Sequence, residues 1–197
     1  MINKLSKYFT DKLFLNGAIT EEEQELYIYG LFMLLSQLMY LVLACIFGLT
    51  LGCFFESIIF YVAFMFIRRY AGGYHAATET RCEILSTLSI IACIVVIKLF
   101  KIYDFQNVLL IISAISSLCI FFLCPLDTPE KPLSDKEFKY FCKISWIVLF
   151  VIAVAIIVSY CFKLQFILLP CCMSLILESI LLISGKAQKI SRGKSIV

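Results

Sequence analysis

Hydrophobic and polar positions alternate along this chain in two ways, first as a short amphipathic opening and then as long apolar blocks separated by short polar runs. In residues 2 to 16, Ile2, Leu5, Phe9 and Leu13 recur at helical spacing with Lys4, Lys7 and Lys12 beside them. That is the pattern of an N-terminal amphipathic helix lying in a membrane interface, here over residues 1–16. Asn16 and Gly17 end it, and Thr20 followed by Glu23 reads as a capping box that opens the next helix. Apolar blocks then cover 28–48, 50–67, 83–99, 106–124, 144–162 and 164–184. A bilayer-crossing helix needs roughly 20 predominantly apolar residues, so the pattern predicts an all-α, polytopic membrane protein with about six transmembrane helices. The last two blocks form a tight hairpin around Lys163, and Pro170 is placed to kink the sixth.

Composition agrees, because 62% hydrophobic against 16% charged residues would leave a soluble fold of 197 residues short of polar surface. The chain reads as a single integral membrane domain over 1–197, with no separate soluble domain and no internal repeat. Its charge adds topology. A net +3 without a dense basic stripe gives no reason to expect a nucleic-acid partner. With the N-terminus inside, only Lys98, Lys101 and Lys163 of the 17 Lys and Arg fall outside, a strong positive-inside bias. Both termini and the loops at 68–82 and 125–143 are therefore expected in the cytoplasm, and an active site should open inward. The N-terminus lacks the apolar core and small-residue cleavage site of a secretory signal, so the first span is expected to serve as its own insertion signal. Nearly all of the ten cysteines sit inside apolar blocks, where Cys behaves as a small hydrophobe. No CxxC pair with zinc spacing occurs, and neither a metal nor a cofactor is expected.

The chemistry concentrates between the second and third blocks. There Arg68, Arg69, Tyr70, Ala71, Gly72, Gly73, Tyr74 and the only histidine, His75, run on to Thr80, Arg81, Cys82 and Glu83. Thiolate is the reactive form of cysteine, favoured by a nearby imidazole or a helix N-terminus. Thr80 followed by Glu83 reads as a second capping box, which would put Cys82 in the first turn of the third span, where the helix dipole favours a negative sulfur. Seven residues of straight helix span roughly 10 Å, whereas a catalytic pair needs about 3 Å between heavy atoms or one bridging water. Gly72 and Gly73 allow the turn that this requires. His75 would then be the general base and Cys82 the nucleophile, with first-turn N–H groups available for an oxyanion. The plain alternative is that Cys82 is one more small membrane residue and His75 an interfacial polar one. Cys82 is, however, the one cysteine flanked by charge on both sides.

This run of residues from Arg68 to His75, followed by Cys82 and preceded by two spans and an amphipathic start, resembles the accessory gene regulator protein B (AgrB) family. The later segment with Pro125, Asp127, Thr128, Lys131, Pro132 and Leu133 resembles that family's Pro-x-Asp stretch, and the likeness covers essentially the whole chain. The resemblance implies a membrane-embedded cysteine endopeptidase of the bacterial cell membrane. It would cleave the C-terminal part of a small autoinducer propeptide through an acyl-enzyme thioester and promote thiolactone cyclisation for quorum sensing, with Cys82 and His75 as the catalytic pair. The implied partners are a small amphipathic propeptide and the lipid bilayer; dimerisation stays open. The competing class is a non-catalytic small peptide exporter or transport scaffold, in which Glu56 and Glu178 would matter more than Cys82.

Other residues carry two readings each. Glu56 and Glu178 are intramembrane carboxylates, costly unless paired or facing a polar cavity, and neither has a partner assignable from sequence. Arg68 and Arg69 serve equally as topology determinants and as anchors for an acidic substrate. Glu79 and Asp127 are open candidates for a third catalytic group, or else solvated loop carboxylates.

Overall fold

The computed structural model describes residues 2–74, 78–103, 105–126 and 133–194. Among these the chain is helical throughout: α1 (Ile2–Leu15), a 3-10 turn (Glu21–Glu23) running into α2 (Gln24–Leu51), α3 (Phe54–Ala71), α4 (Glu79–Tyr103), α5 (Gln106–Leu123), α6 (Asp135–Cys161) and α7 (Gln165–Lys194). The helices group into two compact units, Met1–Leu43 and Ala44–Val197, with the boundary inside α2.

In the first unit, α1 buries the small polar residues Ser6 and Thr10 and leaves Leu5, Tyr8, Phe9, Phe14 and Leu15 exposed. The two hydroxyls bond back to the carbonyls of Asn3 and Ser6, each at 3.0 Å, so their burial leaves no hydroxyl unsatisfied. An outward apolar stripe beside lysines suits a helix lying in a membrane interface. The chain turns at Gly17, φ 68°. The carboxylate of Glu23 accepts from the Thr20 amide and the Thr20 hydroxyl at 2.9 Å each, the arrangement expected of the box that starts α2.

In the second unit α7 is the hub, packing against α3, α4, α5 and α6. Leu168, Leu169, Cys172, Leu175 and Leu182 bury its apolar faces, and Ser179 donates to Ser116 at 3.1 Å to tie it to α5. Outside this core, large apolar residues such as Leu88, Ile115, Phe150 and Ile157 are exposed. Water would disfavour such a surface, while lipid is its natural solvent.

Among the described residues α2, α4, α5, α6 and α7 are long and apolar enough to cross a membrane. The block expected as the second span, α3, is not. Its 18 residues include Glu56, Arg68 and Arg69, although Phe60 and Ile67 are fully buried. The helices also overrun the expected spans. Hydropathy marks only the apolar stretch, whereas backbone hydrogen bonding continues through polar residues until a cap or glycine stops it. Thus α6 begins at Asp135 rather than near 144, where Ser134 and Glu137 close a reciprocal box (2.9 and 3.4 Å), and half of the expected loop at 125–143 is helix. The hairpin around Lys163 is as tight as its sequence suggests. Lys163 takes φ 55°, with Leu164 N–H donating to Ser159 O at 2.8 Å and Lys163 N–H to Tyr160 O at 3.2 Å, which closes α6. Pro170 lies inside α7, which continues through it.

Candidate active site

The candidate site is built where α3 stops and α4 starts. α3 ends because Gly72 takes φ 78° and Gly73 φ 132°, conformations that L side chains resist, with the Gly72 amide still donating to Arg68 O at 3.3 Å. The chain from Gly72 to Tyr74 does not leave the protein surface freely. Tyr74 N–H donates to Leu181 O at 3.0 Å, which fastens it to α7. Leu126 N–H donates to Ala71 O at 2.9 Å, and Gly72 and Leu126 form an isolated parallel bridge. The two polar segments, far apart in sequence, are therefore stitched side by side up to the residues that precede His75 and Asp127. Both of those residues lie outside the described ones.

Glycines permit this closeness. A Cβ on Gly72 would run into the Leu126 carbonyl oxygen, and one on Gly73 into the Arg68 guanidinium. A Cβ on Gly185 of α7 would sit 2.7 Å from Leu126 Cδ2 and 2.8 Å from Gly73 C and Tyr74 N. Gly185 has no counterpart among the expected site residues. Its only sequence signal is its place three and seven residues after the turn positions of Leu182 and Glu178 on a helix, which is too common a spacing to single it out.

Arg68 lies inside this junction. Its guanidinium donates to Gly72 O and, at 2.6 Å, to Tyr74 O. One nitrogen also lies 3.9 Å from Glu178 Oε1, where the Glu178 side chain is 0% exposed and the Arg68 side chain 22%. Sequence left Glu178 without a partner and Arg68 open between topology determinant and anchor for an acidic substrate; the fold brings the two together from α7 and α3. Arg69, by contrast, is exposed, with its guanidinium carbon 5.9 Å from the Tyr70 ring centre.

α4 opens at Glu79, two residues earlier than a cap at Thr80 would place it, and the cap is Thr78 rather than Thr80. The Thr78 hydroxyl accepts from Arg81 N–H at 3.4 Å and its carbonyl from Cys82 N–H at 3.1 Å. Thr80 and Glu83 therefore lie inside the helix and form no box around its start. The correction has a local cause, since Thr78 has the same hydroxyl as Thr80 and lies closer to the glycine break. Cys82 still belongs to the opening turn and is partly exposed.

Glu56 is not part of this junction. It stands near the start of α3, 12 residues before Arg68, or roughly 18 Å along a helix. There it is buried and ion-paired with Lys101 of α4, a partner that sequence did not reveal. Both line a cleft of about 550 Å³ with Gly48, Gly52, Phe54 and Phe166. Among the described residues no group of His, Cys, Asp and Glu is arranged to hold a metal ion.

Taken together, the exposed apolar surface, the α7 hub and a partly exposed cysteine at a capped helix start define a polytopic helical membrane protein with a polar junction at one end of its bundle. The accessory gene regulator B family model matches residues 2–182, and the chain belongs to that family. It is 27% identical over 170 residues to an AgrB-like protein of Clostridium perfringens (strain 13 / Type A), covering 81% of this chain and 79% of the relative. A second AgrB-like protein, of Clostridium perfringens (strain SM101 / Type A), is 26% identical over the same shares. The accessory gene regulator protein B of Staphylococcus intermedius is 31% identical over 110 residues, 55% of this chain and 56% of that one. No solved structure matches the chain. Membership implies a part in the processing of a quorum-sensing autoinducer.

Proposed function

We propose that this protein is a membrane-embedded cysteine endopeptidase that cleaves the C-terminal part of a small amphipathic autoinducer propeptide and promotes cyclisation of the remainder to a thiolactone. His75 takes the proton of the Cys82 thiol, and the thiolate attacks the scissile carbonyl. His75 then returns the proton to the leaving amine, leaving an acyl thioester on Cys82. A cysteine thiol of the substrate attacks that thioester, giving up its proton as Cys82 regains one, so one thioester replaces another with little change in bond energy. Exclusion of water lets this exchange compete with hydrolysis. The observation that carries the reading is the position of Cys82, partly exposed in the opening turn of α4, the helix that follows the glycine break fastened to α7. The dipole of α4 favours a negative sulfur at that end.

The topology that goes with this reading has six helices crossing the bacterial cell membrane, α3 among them, with both termini and the junction in the cytoplasm. α3 is accommodated because two of its three charged groups are turned to protein partners, Glu56 to Lys101 and Arg68 to Glu178, while Arg69 is exposed in its last turn. Co-expression with a candidate propeptide tests the chemistry: Cys82→Ala and His75→Ala each abolish cleavage while membrane insertion persists. Cleavage that survives Cys82→Ala rules the mechanism out.

A further inference from the structure

We propose that Glu178 and Arg68 form a buried lock that holds the Gly72–Tyr74 segment on α7 and so positions the residue that follows it, His75, making Arg68 a positioning residue rather than a contact for substrate. The inference deepens the peptidase reading and rests on it for its catalytic consequence.

Three observations converge. Glu178, Leu181 and Gly185 stand at i, i+3 and i+7, one face of α7. Each meets the same short segment: Glu178 faces the Arg68 guanidinium at 3.9 Å, Leu181 O accepts the Tyr74 amide at 3.0 Å, and Gly185 leaves room that a Cβ would fill at 2.8 Å from Tyr74 N. The two terminal nitrogens of the Arg68 guanidinium donate to the carbonyls of Gly72 and Tyr74, which flank Gly73. A planar fork of N–H groups directed at two backbone carbonyls fixes the path of the chain between them. An arginine meant for an incoming carboxylate would keep that fork free.

Glu178 supplies the reason for the arrangement. Its side chain is 0% exposed, and neither carboxylate oxygen has a hydrogen-bond partner among the described residues. A charged carboxylate is costly to bury without an opposite charge, and Arg68 is the cation that faces this one. Glu178 is in turn carried by the helix that packs against four others, so it cannot follow the loop if the loop moves. The lock thus links the rigid core to the segment that leads into His75.

The test uses the full-length protein in detergent or vesicles, comparing wild type with Glu178→Gln, Arg68→Lys and the double variant Arg68→Gln/Glu178→Gln, which leaves no unpaired charge should a single variant fail to fold. Hydrogen exchange at the Tyr74 amide reads the lock itself, and the pH profile of Cys82 alkylation together with kcat and KM for propeptide cleavage reads its consequence. The lock predicts at least tenfold faster exchange at Tyr74 in Glu178→Gln and in the double variant. It also predicts an alkylation profile moving toward that of His75→Ala, and a fall in kcat with KM little changed. Unchanged Tyr74 exchange overturns the lock. A rise in KM alone, with kcat and the alkylation profile of wild type, overturns the positioning role and returns Arg68 to substrate binding. If Cys82→Ala still cleaves, the peptidase reading falls, and the exchange at Tyr74 decides the lock on its own.

Discussion

The backbone amide of Tyr74 donates to the carbonyl of Leu181 at 3.0 Å, so the residue just before His75 is attached to a helix from the far end of the chain. Leu181 lies on α7, which packs against α3, α4, α5 and α6, and a loop fastened there inherits the rigidity of the bundle core. An active-site segment gains from such a support, because reacting groups must be held close to their productive geometry.

That attachment depends on Gly185. Replacing it with Ala would favour α7 by about 1 kcal/mol of helix propensity, yet the new methyl would sit 2.7–2.8 Å from Leu126 Cδ2, Gly73 C and Tyr74 N. Gly185→Ala is expected to lower propeptide cleavage at least tenfold with little loss of Tm, as read by a cleavage assay beside thermal unfolding in detergent. Wild-type cleavage in this variant would show that the loop tolerates displacement from α7.

The start of α4 is capped by Thr78, whose hydroxyl accepts from Arg81 N–H at 3.4 Å. Loss of an N-cap side chain costs about 1 kcal/mol, and here the fraying would fall on the turn that carries Cys82. Thr78→Ala should slow alkylation of Cys82 and cleavage together, while Thr80→Ala should leave both near wild type. The opposite ranking would restore Thr80 as the cap.

Cys161 offers an internal control for thiol activation, since it is exposed at the end of α6 while Cys82 is only partly so. A thiol-reactive probe should label Cys82 faster than its exposure warrants, and His75→Ala should slow that labelling without altering the rate at Cys161. Equal slowing at both sites would point to a global change in the fold instead.

The ion pair between Glu56 and Lys101 predicts a stability effect without a catalytic one. Removing Lys101 strands a buried carboxylate, at a cost of about 1–3 kcal/mol, nearer the lower figure because the Lys101 side chain is 41% exposed. Lys101→Met should lower Tm, and adding Glu56→Gln should recover part of the loss. Cleavage per folded molecule should stay within about twofold of wild type, given roughly 18 Å of helix between Glu56 and Arg68.

Much of the architecture was legible along the chain because its causes are local. Hydropathy over some twenty residues marks a helix with lipid around it, and the amphipathic run at residues 2–16, the box at Thr20 and Glu23 and the turn at Lys163 each act within a few residues. The glycine break at Gly72 and Gly73 and the candidate pair His75 and Cys82 were visible in the same way. Helix ends were read less well, since a cap at Ser134 or Thr78 extends a helix into polar sequence that hydropathy does not count. Hidden from sequence altogether were the partners: Glu178 for Arg68, Lys101 for Glu56, and Leu181, Leu126 and Gly185 for the Gly72–Tyr74 segment. Sequence by itself determined that the chain would be helical, that it would break at Gly72 and Gly73, and which residue types stand at that break. Only the tertiary structure decided what the break rests on, because the energy of a buried charge or a stitched loop depends on groups brought close by packing, however far apart they lie along the chain.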